Sequence, residues 1–244
     1  MIRLPLLVVL VYVFLALGVD TLAMQGVTEP FDWSLLRWRL ADVYRWISPA
    51  VAAIGLPDGL FAWLHWRLPQ KFDVYSFLFW LVLPFLLCLR GMDWGAFGWR
   101  RFRRSDWLVL AVLAAAGAAA MFLIPHIPEL RRTYPNLSGL DPAVKLDYFN
   151  GQLIWIFSWL LGWEFLHRYF LLRAADAQLP RFGWVLVPLS EGIYHLQKPL
   201  LEAGGMVLLS IALTRWALAR NNVLLPFLAH LIIEIEVVLF MLLA

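Results

Sequence analysis

Long apolar runs, interrupted by a few ionisable residues, dominate this sequence. Seven of them approach or reach the roughly 17–25 mostly apolar residues that a helix needs to cross a bilayer. They are Leu4–Met24, Val74–Leu89, Trp107–Ile124, Phe149–Leu172, Phe182–Leu196, Leu201–Leu218 and Val223–Leu243. Because the runs are continuous rather than alternating, they predict helices and argue against a β-barrel. The pattern predicts an all-α fold, a polytopic membrane helix bundle with a polar intramembrane cavity.

Two parts of the chain leave the number of crossings between seven and eight. The fifth and sixth runs are short and are interrupted by Pro188, Glu191 and Pro199, which predicts a kinked or partly re-entrant pair. The mixed region Asp32–Lys71 predicts an interfacial amphipathic helix, followed by a re-entrant segment or an eighth crossing. We expect one continuous membrane domain, with N-terminal helices and a basic loop in 1–148 and a catalytic helix core in 149–244.

Composition and charge support a membrane location. Hydrophobic residues make up 62% of the chain and charged residues 15%, whereas soluble domains have about a quarter charged. The 14 tryptophans suit the interfaces between lipid and water. The arginine-rich loop Arg90–Arg104 is predicted to be cytoplasmic, which also places the N-terminus in the cytoplasm. The first run is long for a signal peptide, so we interpret it as a helix of a protein in a bacterial inner membrane. The net charge of +3 says little about nucleic acid, but no recognition motif accompanies the basic loop, so we expect no nucleic-acid partner.

Ionisable residues recur four positions apart in the C-terminal half. Charges at membrane depth are costly and rarely persist there without a partner or a function. Residues four apart share one face of a helix, so the members of each pair can interact. The pairs are Glu164/Arg168, Glu191/His195, Lys198/Glu202 and His230/Glu234. By contrast, the single cysteine, Cys88, lies in an apolar run and is interpreted as a small buried hydrophobe.

Converging glutamates and histidines suit two kinds of chemistry. One is general acid–base catalysis, in which a carboxylate and an imidazole deprotonate water and protonate a leaving amine. The other is metal binding by Glu164, His195 and His230, although the H-E-x-x-H motif of zinc proteases is absent. A third interpretation is purely structural, since ion pairs in membranes often lock helices together.

Three of these pairs resemble the motifs of the CPBP family, the CAAX protease and bacteriocin-processing (Abi) membrane enzymes. The family motif E-E-x-x-x-R is matched by W-E-F-L-H-R at 163–168. The motif F-x-x-x-H is matched by E-G-I-Y-H at 191–195, and H-x-x-x-N or H-x-x-x-D by H-L-I-I-E at 230–234. Their order and rough spacing agree with the family from about Phe149 to the C-terminus.

The resemblance implies a glutamic-type intramembrane endopeptidase without a cofactor. Glu164 and His195 would activate a water molecule that attacks a peptide carbonyl. His230 and Glu234 would orient or stabilise the tetrahedral oxyanion, and Arg168 would hold Glu164. The partners would be the lipid bilayer and a membrane-anchored protein or peptide, cleaved near its C-terminus. Such a substrate would carry a prenylated CAAX-like end or a C-terminal sorting helix.

Three positions depart from the family pattern. Trp163 stands where the family has its first glutamate, Glu191 replaces a phenylalanine, and Glu234 replaces Asn or Asp. An extra carboxylate at Glu191 would orient His195. Because the second and third departures introduce polar residues, we expect a divergent but active enzyme. The alternatives are a non-catalytic immunity or scaffold protein and, less favoured, a metal-dependent protein or a transporter.

Overall fold

The computed structural model describes residues 4–24, 72–98 and 102–243. These residues are helical with short connections and contain no strand, which confirms the all-α expectation for this part of the chain. Within these described ranges, three helices are long and apolar enough to cross a membrane: Arg104–His126, Leu200–Arg220 and Leu224–Leu243. Leu6–Thr21 and Phe77–Gly91 form shorter apolar helices. The predicted segment Asp32–Lys71 lies outside the described residues.

Eight helices, numbered here in chain order, form the described structure. Two are composite: α2 and α5 each contain a stretch of wider π-helical turns. The bounds are α1 Leu6–Met24; α2 Val74–Ser76, Phe77–Val82 (π) and Leu83–Cys88; α3 Arg104–Met121; α4 Pro128–Thr133; α5 Pro142–Glu164, Phe165–Leu171 (π) and Leu172–Gln178; α6 Leu186–His195; α7 Leu200–Arg220; and α8 Leu224–Leu243. Short 3-10 turns occupy Leu89–Gly91, Trp94–Phe97, Ile124–His126 and Gly183–Val185.

The predicted runs correspond to these helices, with two differences of extent. Helix α5 begins at Pro142, well before Phe149, because Asp141 caps it and proline is favoured in the first turn. The predicted re-entrant pair becomes two unlike helices, since α6 has ten residues whereas α7 has 21 and is long enough to cross. Pro199 separates them at the N-cap of α7.

Helix α5 lies at the centre of the bundle. Its π segment is buried along its whole length and packs against α1, α2 and α6. Gly162 allows α2 to approach closely, since a Cβ there would lie 2.9 Å from the Cβ of Trp80 and 3.0 Å from the carbonyl oxygen of Ser76. The earlier half of α5 packs against α8. The polar residues of α5 therefore face neighbouring helices.

Polar contacts join the first turn of α3 to the end of α7, and the chain then turns directly into α8. The buried Asp106 of α3 accepts hydrogen bonds from Arg220 Nε (2.7 Å) and Trp216 Nε1 (3.0 Å) of α7. Asn221 then adopts a left-handed conformation (φ 48°), which asparagine tolerates, and ends α7. Asn222 Oδ1 accepts a hydrogen bond from the Leu225 N–H (3.0 Å) and so caps α8. This reversal fixes α8, which carries His230.

Candidate functional site

Three fully buried charges join α5 to α6. The guanidinium of Arg168 donates two hydrogen bonds to the Glu191 carboxylate, from Nη1 to Oε1 and from Nη2 to Oε2 (3.0 Å). Its Nε lies 3.2 Å from Oε2 of Glu164, one turn earlier on α5, an ion contact that is not aligned as a hydrogen bond. Glu164, Arg168 and Glu191 are each at most 1% exposed. Arg168 thus contacts two carboxylates at once, and all three side chains are shielded from solvent.

His230 links this cluster to α8. Its Nδ1 lies 2.8 Å from Oε1 of Glu164, so the ring donates a hydrogen bond to that carboxylate. Its Nε2 lies 3.6 Å from Oε1 of Glu234, which is one turn further along α8. The imidazole therefore stands between a buried carboxylate and a carboxylate that is 27% exposed.

The backbone fixes the tautomer of His195. Its Nδ1 lies 2.7 Å from the carbonyl oxygen of Glu191, which can only accept a hydrogen bond. Nδ1 therefore carries the hydrogen, and Nε2 of the neutral ring is left as an acceptor. The expectation that the Glu191 carboxylate orients His195 is wrong, because that carboxylate is turned towards Arg168 and only the backbone of Glu191 holds the ring.

His167, next to Arg168 on α5, is held by contacts inside the bundle and does not line the cavity. Its ring is fully buried and packs against the Trp163 ring in a tilted arrangement, with centroids 4.2 Å apart and an interplanar angle of 47°. Nδ1 donates to the Trp163 carbonyl oxygen (3.0 Å), and Nε2 lies 3.4 Å from the hydroxyl of Ser190, which can donate to it. Both nitrogens are thus used inside the bundle.

A cavity of about 630 Å³ brings part of the predicted site together. Its wall is mostly apolar and comes mainly from α3, α5, α7 and α8, with further residues from α2, α4 and α6. Among the predicted residues, His195, His230 and Glu234 line it. Glu164, Arg168 and Glu191 are not among its lining residues and lie behind the wall, where His230 connects them to the cavity. A direct role of Glu164 towards water stays a prediction.

Trp163 occupies the cavity wall beside His195. Its ring centroid lies 5.5 Å from that of His195, in an edge-to-face arrangement. The same indole packs against Trp80 and Tyr194, with centroids 5.4 and 5.0 Å away. The position where the resembling family carries a glutamate is therefore an aromatic wall in this protein.

A second polar group closes another side of the cavity. Tyr134, just after α4, donates a hydrogen bond to Oε1 of Glu202 (2.7 Å), and Lys198 Nζ lies 3.6 Å from the same oxygen. Burial and then the Glu202 charge raise the pKa of Tyr134 above its usual value. The i,i+4 spacing predicted the pairing of Lys198 with Glu202. The contact with Tyr134 was not predicted, because Tyr134 is 68 residues from Glu202 and belongs to no sequence pattern.

The described ranges were expected to allow metal binding at Glu164, His195 and His230, but they contain no arranged set of metal ligands. No group of three or more His, Cys, Asp or Glu side chains there is placed to hold an ion. No protein-family model, curated protein or solved structure matches the chain. The resemblance described above therefore rests on the three motifs alone.

Proposed function

We propose that the protein is an intramembrane endopeptidase that hydrolyses peptide bonds of membrane-anchored substrates. The observation that carries the proposal is that two histidines from different helices, His195 and His230, line one cavity, and that His230 is bonded to the buried Glu164. An imidazole with a free acceptor nitrogen beside a second, carboxylate-held imidazole is suited to acid–base catalysis. The three motifs add the family expectation of the same reaction.

Each residue has a distinct role in this proposal. His195 accepts a hydrogen bond from the attacking water at Nε2, since its Nδ1–H is bound to the backbone. Protonated at both ring nitrogens, His230 keeps its Nδ1–H on Glu164 and presents Nε2–H to the oxyanion that forms at the attacked carbonyl. Glu164 is a positioning residue, because it touches Nδ1 of His230 and does not line the cavity. Arg168 and Glu191 in turn hold Glu164 in a fixed place.

The substrate class follows from the cavity and the surroundings. The largely apolar wall and the membrane-compatible helices favour a substrate that is itself anchored in lipid. Within the proposal the chain crosses a bacterial inner membrane seven or eight times with its N-terminus in the cytoplasm. The resemblance adds the expectation that the substrate is cleaved near its C-terminus, at a prenylated end or a helical sorting signal.

The test uses the full chain in lipid nanodiscs with single-span peptides that carry varied C-terminal extensions, and mass spectrometry identifies cleaved products. His195→Ala and His230→Ala should abolish cleavage because both lose a group that faces the cavity. His126→Ala is the control, since this exposed histidine does not line the cavity. Cleavage at the wild-type rate by either cavity variant, in folded protein, would contradict the proposal.

A non-catalytic scaffold or immunity protein is the second candidate. It is favoured by the full burial of Glu164, Arg168 and Glu191 and by the aromatic ring of Trp163 at the cavity wall. Under this function His195→Ala and His230→Ala would lower the unfolding temperature in nanodiscs, and no peptide would be cleaved by the wild type. Measuring both quantities on the same samples separates the two candidates.

A further inference from the structure

Among the described residues, three carboxylates line the cavity, and two of them accept hydrogen bonds within the bundle. Asp73 accepts hydrogen bonds from the backbone N–H of Ser76 (2.9 Å) and from its hydroxyl (3.0 Å). Glu202 accepts from Tyr134 and is paired with Lys198. Asp73 thus stabilises the start of α2, and Glu202 joins the segment after α4 to α7. The third carboxylate is Glu234.

Glu234 differs from these in its surroundings. Its side chain is 27% exposed and lies 3.6 Å from Nε2 of His230, the same separation as between Lys198 and Glu202. This ion contact is too long for a direct hydrogen bond, whereas Asp73 and Glu202 each accept a hydrogen bond of 3.0 Å or shorter, so the Glu234 oxygens stay open to a water molecule in the cavity. On the other side of the same ring, Glu164 is 1% exposed, with one oxygen bonded to His230 and the other against Arg168.

From this contrast we infer that Glu234, on α8, is the catalytic carboxylate that takes the proton from the attacking water. The inference rests on the proposed function and names the base of that same site. His230 then stands between two glutamates with different tasks. Glu164 positions the ring from behind, and Glu234 acts in the cavity.

The reaction balances without any further reactant. Water is oriented by a hydrogen bond from one of its hydrogens to Nε2 of His195. Its other proton passes to Glu234 while the oxygen forms a bond to the peptide carbonyl carbon. Glu234 returns this proton to the peptide nitrogen as the C–N bond breaks. The products are a carboxyl group and an amine, and the enzyme regains its starting state.

The experiment compares three glutamates in the peptide assay described above, using the best-cleaved single-span peptide as the probe. Glu234→Gln should lower kcat at least about 100-fold, with KM little changed, because a general base contributes factors of this size. Glu236→Gln is the matched control on the same helix, since Glu236 does not line the cavity. It should cleave at the wild-type rate.

A rescue measurement separates catalysis from structural loss. In Glu234→Ala the vacated space opens on the cavity, so added formate should restore part of kcat. Glu164→Ala should show no such rescue, because its carboxylate is shut off behind His230. Wild-type cleavage together with an active Glu234→Gln variant, or formate rescue of Glu164→Ala alone, would overturn the assignment. Absence of cleavage by the wild-type protein would instead overturn the proposed function, and the assignment with it.

Discussion

Replacing Arg168 by methionine should destabilise the protein strongly. The guanidinium is 1% exposed and binds Glu191 through two nitrogens and Glu164 through a third. Methionine keeps the apolar stem but leaves Glu191, which is 0% exposed, without a positive partner. Breaking a buried ion pair by removing one partner costs about 3–5 kcal/mol. For a chain of this size, that corresponds to a drop of about 6–20 °C in the unfolding temperature.

Cys88 provides the assay. It is the only cysteine in the chain and is 3% exposed, so a thiol-reactive dye reports its exposure when the bundle opens on heating. Arg168→Met/Glu191→Leu should be more stable than Arg168→Met alone, because the second substitution removes the buried carboxylate that lost its partner. The recovery should be about 0.5–3 kcal/mol, the usual range for directly coupled neighbours.

The control for this series is Arg215→Met. Arg215 is exposed on α7 and lies over the ring of Trp184, 5.2 Å from its centroid. A cation–π contact at an exposed site contributes only about 0.5–1 kcal/mol, so the unfolding temperature should change little. The reasoning is refuted if Arg168→Met unfolds within the range of this control, or if Glu191→Leu gives no recovery in the double variant.

Two further predictions concern helix packing and use the same unfolding assay. Gly162→Ala should lower stability by about 1–3 kcal/mol, because the added Cβ would meet Trp80 at 2.9 Å, whereas Gly204→Ala, with no atom within 4 Å of its Cβ, should be neutral or stabilising. Equal effects at the two glycines would contradict the close packing of α2 on α5. Asp106→Asn should cost about 1–3 kcal/mol, since the neutral amide weakens the bond from Arg220 that ties α3 to α7. An unchanged unfolding temperature would show that this tie does not matter.

Local patterns predicted the elements and the contacts within them. Continuous apolar runs indicated the helices, and the i,i+4 spacing of Glu164 and Arg168 correctly indicated an ion contact along one helix. The same rule failed for Glu191 and His195, because spacing along a helix does not show which neighbour a side chain prefers. The Glu191 carboxylate accepts two hydrogen bonds from Arg168 on another helix. His195 instead donates to the backbone carbonyl oxygen of Glu191.

Contacts between helices were outside the reach of sequence periodicity. Glu164 and His230 are 66 residues apart, and only the packing of α5 against α8 brings them to 2.8 Å. The same packing decides which charged groups meet the cavity. Motif order indicated that Glu164, His195 and His230 belong together, but it could not separate the residues that line the cavity from those behind it.

Burial divides the charges of this bundle into two groups with different physical consequences. Glu164, Arg168 and Glu191 form a buried cluster held by ion pairs and hydrogen bonds, so their contribution is rigidity. No substrate group can approach them without displacing a partner. His195 and Glu234 line the cavity instead, where Nε2 of His195 and the Glu234 oxygens can accept hydrogen bonds. His230 belongs to both groups, because Nδ1 is bonded to Glu164 of the buried cluster and Nε2 faces Glu234. A substitution in the buried cluster should therefore change stability first. If the protein is the endopeptidase proposed above, such a substitution should affect cleavage only through the position of His230, whereas a substitution of Glu234 should change cleavage with little effect on unfolding.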